Sequence, residues 1–109
     1  MLPAIIPGVV LGVDVGGTKV AVAAVEGVTA THAVERPTAV DSTDALLDGI
    51  EAQVREVMDA AGQPLAVGVG VPSQIEFATG TVETSVNIPL TGVPLREELG
   101  RCFGVPVFV

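Results

Sequence analysis

The sequence predicts an α/β fold built on a mixed sheet, and three observations carry that prediction. Two valine-rich runs, residues 9–15 and 19–25, flank a Gly16-Gly17 turn. A long helical pattern with one apolar stripe follows, between residues 41 and 61. Behind it comes a further apolar run, residues 65–71, which must return beside the first strand through a right-handed crossover. At 109 residues the chain has room for one domain.

Taken in order, residues 1–8 contain Pro3 and Pro7 and read as an extended lead-in. Residues 9–15 are apolar except for Gly12 and Asp14, and their β-branched content suits a buried strand. Gly16-Gly17 can take positive φ and close a tight turn. Residues 19–25 form a second strand, Glu26-Gly27 turns the chain, and residues 29–36 alternate weakly as a third strand ended by Pro37. Short turns make these three strands antiparallel neighbours.

Asp41, Ser42 and Thr43 are each good N-caps for the helix. Leu46, Leu47, Ile50, Val54, Val57, Met58 and Ala61 recur at spacings of three and four, the mark of one buried stripe. Glu51 and Arg55 can pair one turn apart, and Gly62 with Pro64 closes the helix. In the fourth strand, residues 65–71, Gly68 and Gly70 alternate and leave one face bare for close approach. Residues 72–91 are the least regular, with a turn at Ala78-Thr79-Gly80, a short strand over 81–86 and a loop over 87–90. Pro94 opens a second helix with Leu95, Leu99, Cys102 and Phe103 on one face and Gly104 at its end. Residues 105–109 form a final strand. The expected sheet has five strands in the order 3-2-1-4-5. The long helix should cover one face, with the second helix on the opposite side or at the edge.

Composition narrows the function. Thirteen acids stand against five bases, Lys19, Arg36, Arg55, Arg96 and Arg101, for a net charge of −8. Scattered bases cannot track a phosphate backbone, so nucleic acid is not an expected partner. One cysteine rules out an internal disulfide, and Cys102 with His32 cannot make a metal cluster. The apolar first ten residues are too short to span a bilayer and have neither a basic region nor a cleavage site. A soluble, cytoplasmic protein with no membrane partner is expected. The hydrophobic fraction of 49% fits either a fully buried sheet or a fragment whose apolar face awaits a partner.

The stretch that carries chemistry is Asp14-Val15-Gly16-Gly17-Thr18-Lys19. It is not a Walker A loop, because the order is Thr-Lys and a strand follows. Nor does Gly12 to Gly17 have the spacing of a dinucleotide fingerprint. It is a hairpin tip whose exposed amides can form an anion nest. Thr18 offers a hydroxyl, Lys19 a charge, and Asp14 can hold Mg²⁺ against phosphate oxygens. A plain Gly-Gly hairpin capped by Asp14 is the competing reading. His32 lies away from this turn, Cys102 sits on an apolar helix face, and Phe77, Phe103 and Phe108 make no stacking platform.

Asp-x-Gly-Gly-Thr-Lys between two apolar strands resembles the first phosphate motif of the ROK family of sugar kinases. Further landmarks follow in the family's order: Gly68-x-Gly70-x-Pro72-Ser73, Thr79-Gly80-Thr81-Val82, Asn87-Ile88-Pro89, Gly92-x-Pro94-Leu95 and Gly104-x-Pro106. The resemblance covers residues 9–109. It implies an RNase H-like, actin-like ATPase lobe, truncated after its last strand, from an ATP-dependent hexose kinase with glucose as the leading substrate. Asp14 then falls on the Mg²⁺-phosphate carboxylate and Gly16, Gly17, Thr18 and Lys19 on the phosphate loop. Asn87 falls on a sugar-contacting loop, and Ser73 stands where the family usually has glycine. Gln74 is expected in a surface loop.

The family's general base would follow Val109 almost at once, and its zinc-binding cluster later still. The 109 residues alone are therefore expected to be inactive. ATP, Mg²⁺ and a sugar are the implied ligands, and the full-length protein is implied to be a homo-oligomer. Two alternatives stay open. One is a non-catalytic sugar-responsive regulator of the same family; the other is a half-domain that assembles with a partner chain.

Overall fold

Alternation along the strands decides which way the sheet faces. In the computed structural model, which describes residues 8–109, strand β1 (Val10–Val15) buries Leu11, Val13 and Val15 and turns Val10, Gly12 and Asp14 outward. The lead-in expected over residues 1–8 lies outside the described residues, Gly8 excepted. Strand β2 (Lys19–Glu26) runs antiparallel to β1 and buries Val20, Val22 and Ala24. Strand β3 (Thr29–Pro37) is an edge strand, largely exposed, and it includes Pro37 at its end. Between β2 and β3 the register slips, so His32 and Ala33 stand where β2 offers Ala23 alone. His32 takes a positive φ of 52° there, a left-handed position that histidine tolerates better than most residues.

Helix α1 (Thr43–Ala61) starts at Ser42, whose Oγ accepts the Ala45 N–H at 3.0 Å, and ends at Gly62 with φ of 94°. It buries the expected Leu46, Ile50, Val54 and Val57, and with them Gln53, a polar residue outside the apolar stripe. The carboxamide of Gln53 donates to the carbonyls of Val20 and Val34, each at 2.7 Å, and so ties β2 and β3 to the helix. The Arg36 guanidinium adds two bonds to the Glu56 carboxylate at 2.9 and 3.0 Å. The expected Glu51–Arg55 pair forms at 3.1 Å.

The crossover delivers strand β4 (Val67–Gly70) parallel to β1, with Gly12 opposite Gly68 and Asp14 opposite Gly70. Strands β5 (Gln74–Glu76) and β6 (Thr81–Thr84) form a separate two-stranded hairpin. Gln74 is thus on a short strand and not in a loop; pairing with Thr84 orders a segment whose polar composition hides it. Helix α2 (Leu95–Phe103) ends at Gly104 in the left-handed conformation, as the sequence anticipates. Strand β7 (Val107–Phe108) completes a sheet of order β3-β2-β1-β4-β7, the expected 3-2-1-4-5 with β7 as its fifth member.

The second helix takes one of its two expected places, at the sheet edge against β7, and not the opposite face. It packs beside α1, on the same face, where Arg55 donates to the Cys102 carbonyl at 2.7 Å. Its Leu95, Leu99 and Phe103 join the single core that contains Leu11, Val13, Ile50 and Val69. The opposite sheet face carries Gly12, Ala21, Ala23, Gly68 and Gly70, and together with Asp14 and Glu35 it forms an open groove of about 350 Å³. Both helices on one face thus leave the small-residue face bare, where the notch of alternating glycines lies.

Candidate functional site

Of the elements above, β1 matters most, because its carboxyl end lies in the parallel centre of the sheet, where α/β folds place their ligands. There the chain turns through Gly16 and Gly17. Neither glycine adopts positive φ, contrary to expectation. The need for glycine at position 16 is steric. Its N–H donates to the Lys19 carbonyl at 2.9 Å, and a Cβ there would stand 2.9 Å from that same oxygen. The fold therefore spends no left-handed conformation on the turn and uses close backbone approach.

The turn is braced from outside its own sequence. Thr38, just past β3, donates its N–H to the Thr18 carbonyl at 2.9 Å and its hydroxyl to the Gly16 carbonyl at 2.7 Å. With the carbonyls held from behind, the N–H groups of Gly17 and Thr18 donate to no acceptor among the described residues. Both residues are exposed. Free, fixed amides at an exposed turn are the elements of an anion nest. Asp14, exposed on the neighbouring strand end, makes no ion pair among the described residues.

Lys19 sits differently from the sequence picture. Its ammonium pairs with Glu35 on β3 at 2.8 Å. Hydrogen bonding to Glu35, and then the charge of that carboxylate, raise the Lys19 pKa above the ordinary lysine range, with a smaller contribution from Asp14. Both partners are well exposed, at 68% and 57%, so the pair is weak and exchangeable.

Asn87 is brought to the turn from a distant part of the chain. A Cβ on Gly17 would lie 3.6 Å from the Asn87 Cβ. The loop that carries Asn87 is fixed at three points. Thr43, at the start of α1, donates its hydroxyl to the Pro89 carbonyl at 2.6 Å. The Thr91 hydroxyl accepts the Ser85 N–H at 3.0 Å, and Ser73 donates to the Ser85 hydroxyl at 3.0 Å. Ser73 thus touches the base of the Asn87 loop through a side-chain bond.

Sequence reasoning finds Asp14, the glycines, Thr18 and Asn87 but misses Thr38, Thr43 and Glu35. Thr38 stands in the connection after β3, where a hydroxyl residue carries no motif, and Thr43 opens α1, where the sequence offers it only as a cap for its own helix. No group of three or more His, Cys, Asp or Glu residues that could hold a metal occurs among the described residues. No helix among them is long and apolar enough to cross a membrane.

A 3-2-1-4-5 mixed sheet with a braced glycine turn at the end of its first strand defines a lobe of the RNase H-like, actin-like fold. The chain belongs to the ROK family, whose signature matches residues 10–109. Among solved structures it is similar to a ROK family glucokinase from Streptomyces griseus, determined in complex with glucose and AMPPNP. That likeness has a TM-score of 0.86 at 28% identity and covers 94% of this chain and 32% of the other. The glucokinase of Streptomyces coelicolor is 33% identical over 105 residues, which are 94% of this chain and 32% of that protein. An Escherichia coli N-acetyl-D-glucosamine kinase is 38% identical over 90 residues, 81% of this chain and 29% of its own. The chain thus spans about a third of the length of the curated relatives it matches.

Proposed function

We propose that these residues form the phosphate-gripping part of an ATP-dependent hexose kinase that transfers the γ-phosphate of ATP to a sugar hydroxyl, with glucose as the leading substrate. The observation that carries this reading is the pair of free Gly17 and Thr18 amides beside Asp14 and against the Asn87 loop. Phosphoryl transfer is governed by positioning and charge neutralisation, and this arrangement supplies both. The amides of Gly17 and Thr18 and the Thr18 hydroxyl hold phosphate oxygens. Lys19 leaves Glu35 to add its charge. Asn87, and Ser73 through the loop it supports, line the sugar side.

Mg²⁺ fits the donor set. It is commonly held by one or two carboxylates together with substrate phosphates, and Asp14 is one free carboxylate at the nest. When bound, the ion spreads the charge that develops on the transferred group. The sugar and the nucleotide are the partners, in the cytoplasm, and the full-length protein assembles as a homo-oligomer. The 109 residues by themselves should bind nucleotide weakly and turn over no sugar, since the groove on which Asp14 sits is open and has no opposing wall among the described residues.

The test is a sugar panel with the full-length protein, ATP and Mg²⁺, read by coupled ADP release. Phosphorylation of glucose or a close relative, lost in Asp14→Asn, is the expected result. Absence of turnover with every hexose, or an Asp14→Asn variant as active as the parent, would sink this reading.

A further inference from the structure

One short segment makes a bond to each of the two halves of the candidate site. Residues 38–43, the connection after β3 together with the first residue of α1, carry Thr38 at one end and Thr43 at the other. Thr38 grips the carbonyls of Gly16 and Thr18. Thr43 grips the carbonyl of Pro89, two residues from Asn87. Nothing else among the described side-chain bonds reaches either the 16–18 carbonyls or Pro89. Packing under the segment is incomplete: Pro37 and Ala39, on either side of Thr38, line an open cavity of about 250 Å³ with Leu46, Ile50 and Gln53. Hydrogen bonds therefore add to its placement. The far end is pinned by Ser42, which caps α1 through Ala45.

We propose that the 38–43 segment is a spacer that sets the separation of the phosphate turn from the Asn87 loop, with Thr38 and Thr43 as positioning residues for nucleotide and sugar respectively. This rests on the reading of the turn as the nucleotide grip and of Asn87 as a sugar contact. Two bonds from Thr38 keep the carbonyls of the turn pointing back, so its amides point out. Loss of the hydroxyl frees the Gly16 carbonyl to rotate toward the site, where it would oppose an anion. Thr43 acts on the other loop and leaves the turn untouched. Misplacement of a positioned group by a fraction of an ångström is enough to move a rate strongly.

The experiment uses the full-length protein with Thr38→Val, Thr38→Ser, Thr43→Val and Thr43→Ser, and measures KM for ATP and for glucose separately. Thr38→Val should raise KM for ATP roughly tenfold, the loss of about one hydrogen bond, with KM for glucose within twofold. Thr43→Val should do the reverse. Each serine variant keeps the hydroxyl and should return to the parent values. If either valine variant fails to fold, the alanine variant compared with the serine variant gives the same contrast. Equal rises in both KM values, or no change in either, would overturn the proposal while leaving the kinase reading intact. A parent protein that neither binds ATP nor phosphorylates glucose would overturn both.

Discussion

Of the three glycine turns that close hairpins among the described residues, the β1–β2 and β5–β6 turns are built in opposite ways. In the β5–β6 turn, Gly80 takes a φ of 71° and Arg96 lies directly over it. The Arg96 guanidinium donates to the carbonyls of Phe77 and Ala78, at 3.3 and 2.7 Å, and its backbone N–H donates to that of Gly80 at 3.2 Å. A side chain covers the tip and uses up its polar groups. In the β1–β2 turn Asn87 lies alongside Gly17, and no side chain among the described residues bonds across the tip as Arg96 does. Bracing comes from behind, through Thr38, and the Gly17 and Thr18 amides are left outward and unused. The first arrangement is what a turn needs for stability alone. The second gives up that cover and leaves amides free, as the proposed nucleotide grip requires.

Substitutions can separate the two designs. The largest stability loss is expected from Gly80→Ala, where a Cβ would collide with Arg96 in a backbone conformation that disfavours it. A cost of about 2–4 kcal/mol should appear as a lower urea midpoint, with KM for ATP unchanged. Gln53→Leu comes next. It strands the Val20 and Val34 carbonyls and should cost about 1–3 kcal/mol by the same measurement. Gly16→Ala should invert the pattern of Gly80→Ala. Its Cβ meets backbone at 2.9 Å, so the turn must shift. A stability loss of about 1–2 kcal/mol should come with a rise in KM for ATP of at least about tenfold. If Gly16→Ala left KM alone, the outward amides would have no part in binding.

The smallest effect belongs to Lys19 and Glu35. The folded lysine pKa lies above its unfolded value, so the pair's contribution is full below the ordinary lysine range and fades as pH rises through the folded pKa. Glu35→Gln should lower Tm slightly at pH 7, where the pair contributes in full, and leave it unchanged above the folded lysine pKa, so the alkaline slope disappears in thermal unfolding. It should also lower KM for ATP, because Lys19 no longer has to leave a partner.

Much of this architecture is legible in the sequence because it rests on local periodicity. The β1–β2–β3 meander, α1 with its Ser42 cap and the Gly104 end of α2 all follow from spacing and caps. One feature escaped and another stayed open between two places, both for physical reasons. Strand β5 is polar and only three residues long, so pairing and not composition defines it. The placement of α2 beside α1 follows from a sheet face too small in side chains to hold a helix, a property of two strands read together. In the site, Asp14, Gly16 and Gly17 stand out because glycine and a carboxylate in an apolar run are conspicuous. Thr38 and Thr43 do not, since their role lies in bonds to carbonyls far away in sequence. Gln53 is hidden likewise, a polar residue outside a good stripe that turns out to be buried at 3% exposure.

The parallel pairing of β1 with β4 carries a kinetic consequence. The β1–β2–β3 meander joins neighbours in sequence, whereas Leu11 meets Val67 only after the whole α1 crossover has formed. Non-local parallel contacts require costly loop closure before they are rewarded, so the meander should form early and β4 should dock late. Mutations in the β1–β2 hairpin should then slow refolding, while mutations in β4 should mainly hasten unfolding. Asp14 and Gly70 would become neighbours only in that last step, and the chain would emerge from synthesis with its Gly16-Gly17 turn shaped before the sheet around it is finished.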